Sequence, residues 1–282
     1  QLIVPNLFFY FPHVGLEPFC TPLIPMLQML FDDPVPEVRK SIAELTVDTA
    51  IVAGNESMAS HLTDLVMKLI SDEDSSVRLR ILSKLTRVAE DVPNLLTKMT
   101  PSLKTLYGDS NWRVRRAIAQ AMAAVSSTLG HEYFENHFLV EYLSLLKDGV
   151  SEVRIGIGET FPGMIEATTS EWFFTNIFAA VKTLVEAEYL VRLSIIGGLR
   201  SMLKASNCMA ESNQMEVLNL LLAYTKDSVP NIRLRAAQSL SSICRDTTTD
   251  SNKLALIRPV LTEMQNDKDK DVKFFASTAI KV

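Results

Sequence analysis

Seven times along the 282-residue chain an apolar segment at helical spacing runs into an acidic residue, and five positions later a Val or Ile is followed at once by a basic side chain. The copies are Asp33 with Val38-Arg39, Asp72 with Val77-Arg78, Asp109 with Val114-Arg115, Asp148 with Val153-Arg154, Glu186 with Val191-Arg192, Asp227 with Ile232-Arg233 and Asp267 with Val272-Lys273. Successive basic positions lie 37 to 41 residues apart. A period of that size marks a stacked array, in which each unit buries its apolar face only against its neighbours.

Before each acid the apolar segment predicts a first helix: Leu23 to Phe31, Leu62 to Ile70, Leu103 to Tyr107, Phe138 to Leu146, Ile177 to Val185, Val217 to Tyr224 and Ile257 to Met264. Pro22, Pro101 and Pro259 lie near three of these starts, where a missing amide donor costs nothing. After the acid, a turn rich in Ser, Asn, Pro and Asp predicts the cap of a second helix. Three and four positions beyond the basic residue come Ile42/Ala43, Ile81/Leu82, Ile118/Ala119, Ile157/Gly158, Ile195/Ile196, Ala236/Ala237 and Ala276/Ser277, which share one helical face. Small members such as Ala119, Gly158, Ala237 and Ser277 let the next repeat approach closely.

The expectation is an all-α chain: one solenoid domain over residues 1–282, a right-handed superhelix with seven full repeats from about residue 21. Residues 1–20, with the cluster Phe8 to Phe11, read as the second helix of a preceding repeat, and the start at Gln1 suggests a segment of a longer protein. Tetratricopeptide and ankyrin units, at about 34 and 33 residues, are too short for the period. HEAT repeats fit, and armadillo repeats would need a third short helix in each unit.

Composition narrows the function. With 28 basic against 33 acidic residues, a net charge of −5 and no long basic run, generic nucleic-acid binding is disfavoured. No apolar segment approaches the roughly 20 residues of a membrane span. Cys20, Cys208 and Cys244 are too few and too far apart for a disulfide framework, which points to a reducing cytoplasmic compartment, with the nucleus left open. His13, His61, His131 and His137 occupy unrelated places in the repeat, so no metal is expected. Gly156-Ile157-Gly158 lacks the third glycine of a dinucleotide fingerprint, and no nucleophile elbow or Walker loop occurs. The chain is expected to be no enzyme and to hold no cofactor.

The acidic and basic ladder reads as structural, since a catalytic site would not recur seven times. In that reading an Asp in one turn pairs with the Arg that opens the following repeat's second helix. Trp112 is different, because its counterparts in the other turns are mostly small or polar. It either folds back onto the adjacent repeat or stands out as a partner anchor beside Arg113, with Tyr189 as a second anchor and Val150, Val229 and Pro230 between them.

Three stretches carry a resemblance: Asn111-Trp112-Arg113-Val114-Arg115, Asp227 through Arg233, and Asp267 through Ala276. They are similar to the scaffolding A subunits of protein phosphatase 2A, a HEAT-repeat family of fifteen repeats, and the register would match the C-terminal half of a member. The resemblance implies that the turns of the last five repeats form a ridge that grips the phosphatase catalytic subunit, through Asn111, Trp112, Arg113, Val150, Ser151, Tyr189, Val229 and Asn231, with a contribution from Lys270. It also implies that the full-length protein has a B-type regulatory partner. The turn beginning at Glu186 departs from the family pattern by opening on Glu. The rival reading is a nuclear-transport receptor or another HEAT-repeat adaptor.

Overall fold

The computed structural model describes residues 25–53, 59–246 and 250–279. All regular structure among them is helical, and it alternates as the pattern requires: first helix, turn, second helix. Residues 1–20 and Cys20 with them, Pro22, and the side chain of His61 lie outside the described residues. The contacts group the chain into two compact units, divided in sequence between Tyr142 and Leu143.

In the first unit the second helices are Pro36–Ala53, the pair Ser75–Leu82 and Leu85–Asp91, and Trp112–Leu129. The break in the pair lies at Ser83, whose hydroxyl donates to the Arg80 carbonyl at 2.7 Å, the competition with helix bonds that such side chains offer. In the second unit they are Ser151–Ala167, Tyr189–Lys204, Pro230–Cys244 and Lys270–Ala279. From the third repeat on, each first helix tightens into a short 3-10 turn immediately before the junction: Leu106–Gly108, Leu145–Lys147, Thr183–Glu186, Tyr224–Lys226 and Met264–Asn266.

The apolar register is the core. Ile42, Ala43, Ile81, Leu82, Ile118, Ala119, Ile157, Ile195, Ile196, Ala236, Ala237 and Ala276 are all buried, whereas Ser277 is half-buried. Each large aliphatic side chain in that set contributes about 1.5–3 kcal/mol by leaving water. Two of the proline assignments need correction. The first helix of the third repeat begins at Pro93, so Pro101 lies inside Pro93–Thr105. That of the seventh begins at Ser251, capped by Asp250, so Pro259 lies inside Ser251–Glu263. Both prolines are the ninth residue of a 13-residue helix. The apolar period is blurred upstream by polar residues, which hid the true starts.

The ladder exists, and its direction is the reverse of the expected one. In six repeats the Asp Oδ1 accepts from the backbone amide two residues on, at 2.8 Å in each case, so the carboxylate first closes its own turn. At Asp72, Asp109, Asp227 and Asp267 the carboxylate also faces the preceding repeat. Arg39 reaches forward to Asp72 at 2.8 and 2.9 Å, Arg78 to Asp109 at 2.7 and 3.0 Å, Arg192 to Asp227 at 2.9 and 3.2 Å, and Arg233 to both oxygens of Asp267 at 2.8 Å. The remaining guanidinium nitrogen donates backwards to the main-chain carbonyl of the arginine's own turn, as Arg39 does to Asp33 at 2.8 Å, Arg115 to Asp109 at 2.7 Å and Arg233 to Asp227 at 2.9 Å. One arginine therefore fastens two turns.

The fifth repeat breaks the pattern. Its 3-10 turn is one residue longer, so Ala187, not Glu186, stands where the other repeats place Asp, and Glu188 caps the second helix at once. Arg154 meets no carboxylate there. It donates instead to Ser194 Oγ at 3.1 Å, the Leu190 carbonyl at 3.3 Å and the Asp148 carbonyl at 2.5 Å. The same repeat contains a close backbone approach. A Cβ built on Gly198 would lie 2.9 Å from the Gly158 Cα and 2.8 Å from the Phe161 ring, so Gly158 does serve close packing.

Gly198→Ala is expected to lower stability by about 1–3 kcal/mol through overpacking, seen as a fall in melting temperature, while Gly149→Ala, which meets nothing within 4 Å, leaves the melt unchanged. Arg233 holds the Asp267 carboxyl below its usual range. A depressed carboxyl contributes stability above its unfolded pKa of about 3.9 and loses it as pH falls through the lower folded value. Asp267→Asn should therefore cost about 2 kcal/mol at neutral pH, and its melting temperature should begin to approach the wild type's only as pH falls below about 4, meeting it once the folded-state carboxyl is protonated.

Candidate partner-binding turns

Every sequence-predicted contact residue lies at the start of a second helix. Asn111 is the cap of Trp112–Leu129, and its Oδ1 accepts from the Arg113 amide at 3.0 Å. Its Nδ2 donates to Ser75 Oγ in the preceding turn at 2.8 Å. Asp109 beside it is locked by Arg78 and closes onto the Asn111 amide. Four links thus fix the backbone from which Trp112 projects.

Trp112, the first residue of its helix, is half-buried, and the guanidinium of exposed Arg113 lies 4.5 Å from its ring centroid. That cation–π contact is worth about 0.5–1 kcal/mol at an exposed site and holds the indole in one orientation. A positive charge in the first helical turn works against the helix dipole. Equivalent positions in other repeats carry Glu37, Glu152 and Asp271, the charge the dipole favours. Arg113 is therefore not placed there for the helix's own stability.

In the second unit the structure sets the other six residues in one register. Val150 and Val229 are caps, half-buried; Ser151, Tyr189 and Lys270 are first helical residues; Asn231 is the second residue of Pro230–Cys244. Tyr189 is 46% exposed, and Asn231 and Lys270 are exposed. The forks Arg192–Asp227 and Arg233–Asp267 tie the turns of repeats five, six and seven to one another. Asn111, Trp112 and Arg113 belong to the first unit and the other six to the second.

Two apolar side chains at these helix starts escaped the sequence reading. Leu190, beside Tyr189, is 46% exposed, and Ile155, one position after Arg154, is 39% exposed. The signal was present, since both fall off the buried face of their helices. Among the described residues no cluster of His, Cys, Asp and Glu could hold a metal, and no helix is long and apolar enough to cross a membrane.

A family model described as HEAT repeat matches residues 99–129, the end of the third repeat's first helix and the whole of its second, with Trp112 and Arg113 inside it. Among curated proteins, the chain is 26% identical over 243 residues to the regulatory A subunit of protein phosphatase PP2A from Saccharomyces cerevisiae, covering 82% of this chain and 38% of that protein. It is 30% identical over 105 residues to the beta isoform of the 65 kDa regulatory A subunit of serine/threonine-protein phosphatase 2A from Homo sapiens, covering 34% of this chain and 18% of that one. The matches span less than two fifths of the length of either relative. Among solved structures, a chain from the work on Kap95p binding to RanGDP superposes with a TM-score of 0.64 at 10% identity, over 99% of this chain and 37% of that chain. That likeness is one of fold.

Because Asn111 caps its helix and also bonds to Ser75, Asn111→Ala should cost about 1 kcal/mol of stability. Thermal melts of Asn111→Ala and Asn111→Ser check this, the serine retaining the cap and most of the melting temperature.

Proposed function

Starting from a HEAT-repeat protein like the A subunits of protein phosphatase 2A, we propose that this chain is a non-catalytic scaffold that binds the catalytic subunit of a protein phosphatase 2A-type serine/threonine phosphatase through its intra-repeat turns. The observation that carries the reading is the turn Asp109 to Arg113: a rigidly fastened backbone presenting an indole and an arginine whose charge its own helix disfavours. Trp and Arg are the side chains enriched at interface hot spots. The names of the curated relatives supply the partner.

Scaffolding needs no chemistry of its own. A fixed row of turns holds the phosphatase at a set place, and a B-type regulatory subunit held by other repeats of the full-length protein then meets it at raised effective concentration. The nuclear-transport alternative rests on a likeness of fold at 10% identity and gains nothing further from the site.

Trp112→Ala is expected to weaken binding of the phosphatase catalytic subunit by about 2 kcal/mol or more, roughly thirtyfold, with little change in the melt. Titration calorimetry and a thermal melt on the same protein decide it. Unchanged affinity, or a mutant that is largely unfolded, returns the indole to the packing of its own stack. Affinity for a nucleotide-loaded small GTPase in place of the phosphatase would favour the transport reading.

A further inference from the structure

Away from the forks, the second helices of repeats four, five and six enclose a groove of about 580 Å³ in the second unit. Each helix contributes one arginine to it: Arg154, Arg200 and Arg235. Arg154 is only 6% exposed, yet the missing Asp of the fifth repeat leaves it with neutral oxygen partners and no ion pair. Arg200 and exposed Arg235 make no hydrogen bond or ion pair with any described residue. Glu159 is the one acid among the residues lining the groove, in a chain whose net charge is −5. Between the arginines stand Ile155 and Leu190, with Leu234 half-buried.

A buried guanidinium without a carboxylate is costly, and Arg39, Arg78, Arg192 and Arg233 each have an aspartate. The cationic row is thus a local excess that a ligand carboxylate can neutralise. Packed helices lie about 8–10 Å apart, and Arg200 is the twelfth residue of its helix against the fourth for Arg154 and the sixth for Arg235, an axial offset of about 9–12 Å, so successive arginines lie roughly 13–15 Å apart. An extended peptide rises about 3.3 Å per residue, so carboxylates about four residues apart would reach the arginines in turn. The aliphatic side chains between them suit aliphatic residues of such a peptide, whereas single-stranded nucleic acid would call for aromatic stacking surfaces that the groove does not offer.

We propose that this groove binds an extended acidic segment of a partner protein, with Asp or Glu spaced about four residues apart and aliphatic residues between. The proposal does not rest on the phosphatase reading, because Arg200 and Arg235 belong to none of the candidate turns.

The probe is a fluorescein-labelled nine-residue peptide with Glu at its first, fifth and ninth positions and Leu and Ser between, titrated with the full chain by anisotropy. Saturable binding is expected, falling at least tenfold with Arg200→Glu, with Arg235→Glu, and with a peptide in which Gln replaces Glu. The melts of both variants should match the wild type, since neither arginine is paired. Trp112→Ala should bind the peptide as wild type does, which separates this site from the phosphatase contact. No saturable binding, binding indifferent to the two charge reversals, or equal affinity for an oligothymidylate of the same length would overturn the proposal.

Discussion

The junctions at Asp72, Asp109 and Asp227 each depend on one carboxylate used from every side. Asp72, for example, gives Oδ1 to its own turn and to Arg39, Oδ2 to Arg39, and its main-chain carbonyl to Arg78. The residue therefore ends one helix, shapes the turn and accepts the fork of the repeat before it. A solenoid has contacts only between neighbours, so nothing distant can correct an error in stacking. A planar guanidinium can: its bidentate grip fixes distance and orientation together, which a lysine's point charge cannot do. The pairs sit 5–15% exposed, where water screens them little.

That rigidity is what would make the turns serve the proposed contact. Binding residues on loose loops lose affinity to the cost of ordering them. Here the backbone under Trp112 is ordered in advance by Asp109, Asn111 and Ser75, and the indole itself by Arg113. The fold and the candidate site are thus built by the same bonds. Asn111 shows the coupling most directly, because the side chain assigned to a partner also caps its own helix.

The periodic features were legible in the sequence because periodicity is a one-dimensional signal. Val114, Val153 and Ile232 fall on the buried face as their spacing requires, and Gly158 packs against Gly198 as a small residue at that register should. Features set by a single-residue shift were not legible. Glu186 keeps the five-residue spacing to Val191, so the pattern placed it as the acid of its turn; only the extra residue in the 3-10 turn reveals Ala187 in that role. The direction of the forks was hidden for a similar reason, because spacing along the chain says nothing about which edge of a carboxylate is already occupied. The groove was invisible, since Ile155, Leu190 and Arg235 come from three helices.

The irregular fifth repeat joins these threads. A regular solenoid satisfies its buried arginines repeat by repeat, and departures from local consistency tend to fall where function draws on them. The extra residue in the 3-10 turn puts Ala187 where the other repeats place Asp, which leaves Arg154 with neutral partners and gives the groove its positive character. The same shift brings Tyr189 and Leu190 to the helix start, both 46% exposed. Ser151 and Asn231, candidate contacts on the turns, also line the groove. A partner seated on the turns therefore has the groove within reach of a short extended segment, and tethering the two contacts would make the second effectively intramolecular. Affinity for such a partner would then exceed what either surface supplies alone, without any new contact being formed.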